Sequence, residues 1–152
     1  MKIKPSYVLL LLLFLQIVVS CTVISIFQFH FQTLKDVEIL LNVSGKFISD
    51  SPNAFVFHNH ILISQLLSKL YNFGNTDWYS YLLITLLGIS SLSIKFKIWK
   101  FRPDWRGVLL IFLISILLEI PLLTKLNFEV VAGVLTVGGS VLFLIPKFEK
   151  TS

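Results

Sequence analysis

The sequence predicts an all-α membrane protein: four transmembrane helices, with two short interfacial helices in the first extracytoplasmic loop. Two observations lead there. The 152 residues are 55% hydrophobic and only 14% charged, with a mean hydropathy of +0.84. A soluble domain carries roughly a quarter charged residues at a similar apolar share. The charges are also grouped. None lies between Lys4 and Lys35, between Asp77 and Lys95, or between Glu129 and Lys147, and only Glu119 lies between Arg106 and Lys125. Each gap approaches or exceeds the roughly 17 to 25 apolar residues of a bilayer crossing.

The expected spans are residues 7–29, 78–94, 107–124 and 130–146 of one membrane domain. At these lengths only helices satisfy their own backbone in lipid, so helices rather than barrel strands are expected. The first span competes with a signal-peptide reading, because Val18-Val19-Ser20-Cys21 after a basic start resembles a bacterial lipoprotein cleavage site. A cleaved signal normally gives way to polar sequence, yet Thr22 to Phe29 stays apolar, so a retained anchor is expected. With Cys21 the sole cysteine, the chain has no internal disulfide framework.

Orientation follows from the basic residues. Lys2 and Lys4 precede the first span, and Lys147 and Lys150 follow the last. Lys95, Lys97, Lys100, Arg102 and Arg106 face one acid, Asp104, between the second and third spans. The loop of residues 30–77 has three lysines against Asp36, Glu38, Asp50 and Asp77. Basic residues collect on the cytoplasmic side, which puts both termini inside and the long loop outside. The overall charge of +5 therefore belongs to membrane-surface loops and not to nucleic-acid binding.

Within the outer loop, Leu34, Val37, Leu40 and Leu41 recur at helical spacing. Thr33 followed by Asp36 is a capping pattern, and Gly45 is a helix stop. Ser51-Pro52 has the form of an N-cap with proline in the first turn. Ile61, Leu62, Gln65, Leu66, Lys69 and Leu70 then suggest a second amphipathic helix closing near Gly74-Asn75. Two helices lying in the outer membrane interface are the simplest account.

Few residues carry chemistry. Asp36 and Glu38 lie two apart, and such positions do not share a side of a helix. Asp50 suits a cap or turn. His30, His58 and His60 stand without the third or fourth ligand that zinc requires, so no metal site is expected. Glu119, with Pro121 close behind, is an acid inside a span; it either snorkels outward or makes a functional polar contact. Ala132, Thr136 and Ser140, with Gly133 and Gly139 beside them, form a small-residue face suited to close packing within the protein.

The run from Asp36 through Ser44-Gly45, then Ser51-Pro52-Asn53-Ala54-Phe55-Val56-Phe57, Leu70-Tyr71 and Asp77-Trp78-Tyr79, resembles the N-terminal part of a group of bacterial polytopic membrane proteins. Leu126 to Gly133 also resembles that group. Those proteins are similar to GT-C type glycosyltransferases, which use lipid-linked sugars. The resemblance implies a bacterial inner (plasma) membrane location and places Asp36 at the catalytic or metal-binding carboxylate of the first outer loop. Glu38 would stand in for the second acid, because Val37 occupies that acid's usual place. GT-C enzymes carry many more spans than four. The alternative expectation is therefore a non-enzymatic subunit packed against a larger membrane protein, or an inactive remnant. The expected surroundings are the lipid bilayer and either such a partner or a lipid-linked sugar; no cofactor is indicated.

Overall fold

A computed structural model describes residues 5–26, 30–31, 33–46, 51–52, 61–74 and 76–144. Among the described residues all regular structure is helical apart from two two-residue strands. In order come α1 (Pro5–Ile26), β1 (His30–Phe31), α2 (Leu34–Ser44), α3 (Ile61–Phe73), α4 (Trp78–Phe101) and α5 (Trp105–Ile114). A π-helical turn (Ser115–Glu119), α6 (Ile120–Thr124), β2 (Lys125–Leu126) and α7 (Phe128–Leu144) complete it.

Two helices are long and apolar enough to cross a membrane: Trp78–Phe101, with 24 residues, and Trp105–Thr124, with 20. The first and fourth expected spans are also helical, but as apolar helices they reach only Leu10–Ile26 and Phe128–Phe143 among the described residues. Four crossings do not follow from these lengths. The second helix also outruns its expected end. The sequence reading closed it at Ile94 because Lys95 is charged, but a charge does not interrupt the backbone ladder, and α4 continues for seven more residues, to Phe101.

The chain forms two compact units, residues 31–83 and residues 1–30 with 84–152. In the smaller unit α2 begins and ends as expected. Thr33 accepts the Asp36 N–H, and Gly45 closes the helix with φ of 75°. Its buried face is different from the expected stripe. Asp36, Ile39 and Val43 turn inward, while Leu34 is 88% exposed. The cap explains the shift: Thr33 and Asp36 are fixed to each other, and Ile39 and Val43 follow Asp36 at three and seven residues, on the same side. Ser51 and Pro52 are themselves not helical. Residues 53–60, where a helix capped by them would run, lie outside the described residues, and α3 is described from Ile61. Ser64, Leu67 and Ser68 are its buried residues, leaving Leu62, Leu66 and Phe73 exposed. Ile39, Val43, Leu67, Tyr79 and Leu83 form the interior, the four aliphatic side chains each contributing about 1.5–3 kcal/mol by burial.

In the larger unit, Val8 and Leu12 of α1 meet Ile111 of α5, with Leu92, Phe96, Ile98 and Trp99 of α4 packed around them. On α7 the close approach is made by Gly138, where an added Cβ would lie 3.2 Å from Ser90 of α4. The expected face is not the one used. Gly133 and Gly139 have nothing within 4 Å of a Cβ position, and Thr136 and Ser140 are exposed. The turn Ser115–Glu119 has a local cause. Pro121 has no N–H for the carbonyl of Leu117, and the ladder resets by one residue, with the Ile120 N–H bonding the Ser115 carbonyl.

Candidate functional site

Glu119 is 1% exposed and does not reach outward. In the larger unit three polar side chains from three helices converge on one another: Gln16 of α1, Lys95 of α4 and Glu119 at the end of the π turn. The Lys95 ammonium pairs with Glu119 Oε2 and donates to Gln16 Oε1 at 2.8 Å. The Gln16 amide in turn donates to Glu119 Oε1. Each member thus bonds both others. Lys95 is 0% and Gln16 6% exposed, so all three have left solvent together.

A buried carboxylate and ammonium are each costly to desolvate, and the cost is recovered only when geometry is good and spare donors and acceptors are filled. Gln16 performs that second task, giving an N–H to the carboxylate and an oxygen to the ammonium. Gly88, Ser91 and Lys95 recur at spacings of three and four on one side of α4, and Gly88 lies against Gln16, where a Cβ would stand at an ordinary contact distance of 3.8 Å from Nε2. Ser91, one turn before Lys95, is 5% exposed. Its hydroxyl and that of Ser90 meet no hydrogen-bond partner. Glu119 sits where a π turn departs from the regular helix, a distortion that often marks functional positions.

The smaller unit buries the acid singled out in the sequence. Asp36 is 1% exposed. Its Oδ1 accepts the Tyr79 hydroxyl at 2.8 Å, and its Oδ2 accepts the Thr33 hydroxyl at 2.5 Å. Glu38 is exposed and does not join it; Asp50 lies outside the described residues, as do His58 and His60. A pocket of about 250 Å³ in this unit is lined by Leu40, Leu41, Ser44, Lys46, Tyr71, Thr76 and Asp77. The acid on its wall is Asp77, not Asp36. Asp77 accepts from Tyr71 at 3.2 Å and from the Ser80 hydroxyl at 2.5 Å. Burial, with Asp77 beside it, raises the Tyr71 hydroxyl well above the usual tyrosine range. Among the described residues no group of three or more His, Cys, Asp or Glu could hold a metal ion.

Sequence reasoning isolated Glu119 but missed both its partners. Lys95 reads as the first residue of a basic loop cluster, and Gln16 does not stand out beside Ser20, Thr22, Ser25 and Gln28 in the otherwise apolar first span. No known protein family, curated protein or solved structure matches this chain.

Proposed function

We propose that this chain is a four-span membrane subunit with cytoplasmic termini, packed against a larger membrane partner and not itself catalysing sugar transfer. The observation behind the non-catalytic reading is the state of Asp36. A general base must reach the proton it removes, and this carboxylate is enclosed, with both oxygens engaged by Tyr79 and Thr33. Four spans are favoured by the outward apolar side chains of α1 and α7, where Leu10, Phe14 and Phe143 are 62, 65 and 82% exposed. Such side chains suit lipid and are unfavourable in water. The partner is favoured by the open small-residue face of α7, which would let a second helix approach closely. Thr136 turns its hydroxyl back to the Ala132 carbonyl at 2.9 Å.

The transferase reading rests on the likeness to GT-C related proteins, and one experiment separates the two. Cells lacking the gene are complemented with wild type or Asp36→Asn, and their surface glycans are compared at equal chain accumulation. The subunit reading expects both to behave alike. A glycan defect on deletion that wild type corrects and equally abundant Asp36→Asn does not would return the chain to the transferases. In parallel, Thr136→Cys in a Cys21→Ser background should crosslink to another membrane protein, while Ile116→Cys should not. Absence of any such adduct would overturn the partner. Impermeant thiol labelling from outside at Lys46→Cys, but not at Lys100→Cys, is the expected topology.

A further inference from the structure

The larger unit carries an apolar groove of about 430 Å³, lined by Tyr7, Val8, Leu11, Leu12, Leu15, Trp99, Val108 and Ile111. The α1 wall is a ridge of residues at spacings of one, three and four, running about 12 Å along the helix at 1.5 Å per residue. Trp99 of α4 and Val108 of α5 face it. Among the lining residues only Tyr7, through its hydroxyl, and Trp99, through its ring nitrogen, carry a polar side-chain group.

The end of the groove at Trp99 and Val108 adjoins the turn between α4 and α5, where the basic residues are concentrated. Arg102 follows Trp99 by three residues, and its N–H still bonds the Ile98 carbonyl at 2.8 Å, so the helical course continues and both residues lie on one side. Arg106 holds its guanidinium 6.0 Å from the Trp105 ring centre. The one acid of the turn, Asp104, is directed to the backbone, accepting the Gly107 N–H at 3.1 Å as the cap of α5. An apolar slot with a cationic, Trp-flanked mouth fits one ligand chemistry: a hydrocarbon chain ending in an anion.

We propose that this groove binds an acyl chain of an anionic phospholipid, with its phosphate held at Arg102 and Arg106. The inference rests on the membrane reading above, so integration is checked separately by resistance to alkaline carbonate extraction. The test uses the full chain purified in mild detergent, with thermal unfolding followed as phosphatidylglycerol, phosphatidylcholine or inorganic phosphate is added. Phosphatidylglycerol should raise the midpoint most, and phosphate alone should not raise it. Arg102→Gln should weaken the phosphatidylglycerol effect about fivefold in apparent affinity, as ~1 kcal/mol per basic residue near an anionic headgroup implies. It should leave the phosphatidylcholine response unchanged. Leu11→Trp, which fills the slot, should abolish the response to both lipids. Val108→Trp does so from the opposite wall and keeps the test sound if the first variant fails to fold. Equal shifts with both lipids in the wild type would mean adventitious lipid only and would overturn the proposal. A response surviving in a folded slot-filled variant, or one reproduced by phosphate alone, would also overturn it.

Discussion

Lys95 and Glu119 stand 24 residues apart in the chain and meet as an ion pair in which neither side chain is more than 1% exposed. Such a pair holds helices in register more than it adds net stability, because much of its attraction offsets desolvation. Lys95→Met alone should leave a buried, unpaired carboxylate and cost about 3–5 kcal/mol. Combining it with Glu119→Met should recover most of that loss. Unfolding in detergent micelles gives the comparison, and additive losses in the double variant would sink the coupling.

The Tyr79–Asp36 contact joins residues 43 apart, from α4 and α2. Hydrogen bonds to a charged group contribute about 1.5–3 kcal/mol, so Tyr79→Phe should destabilise the chain within that range. Asp36→Asn should do the same, because its amide would offer a donor to the Tyr79 or Thr33 hydroxyl. A double-mutant cycle should show the two changes to be strongly non-additive. Independent effects would mean that the contact contributes little.

Gly45 is the one residue described with positive φ, at 75°. A Cβ there would also stand 2.6 Å from the backbone nitrogen of Pro52. Gly45→Ala should therefore cost at least the 1–2 kcal/mol usual for a left-handed alanine, with the backbone clash in addition. Gly133→Ala has open space around it and should cost no such strain. Equal melting temperatures for the two variants would contradict this.

The raised Tyr71 hydroxyl sets a pH dependence. A tyrosine held neutral in the fold contributes stability that is fully present below its unfolded value, near pH 10. That contribution is lost as pH rises through the higher folded value. Unfolding between pH 9 and 11, windows chosen around that value, should show wild type losing stability faster than Tyr71→Phe. In ultraviolet titration, Tyr71 should ionise only above the usual tyrosine range or on unfolding. Parallel stability curves would remove the effect.

The helices, and the start and stop of α2, were legible in the sequence because caps act over short distances. The end of α4 was not, since a charge at Lys95 does not stop a helix. Thr33, Asp36 and Gly45 perform the roles their spacing suggested. What failed was the choice of inward face. Periodicity assigns Leu34, Val37, Leu40 and Leu41 to one side of α2 but cannot know that Asp36 will turn toward Tyr79. The buried cluster was half visible. Glu119 stood out as a lone acid among apolar residues, whereas Lys95 was masked by the four basic residues that follow it. Gln16 carried no signal at all, since its part depends on two residues that are 79 and 103 positions away.

The π turn has a geometric effect on the helix that contains it. The buried residues there are Gly107, Ile111, Ser115, Glu119 and Leu123, one in every four. On a regular helix of 3.6 residues per turn, a step of four overshoots by about 40°, so five such residues would spiral about 160° around the axis. The wider turn at 115–119 winds less per residue and gives back part of that rotation in the middle of the row. It acts as a phase correction that helps a four-residue repeat keep facing one way. Losing or gaining a single residue between 115 and 119 would therefore alter the angle at which Glu119 leaves the helix more than it would alter the helix's length.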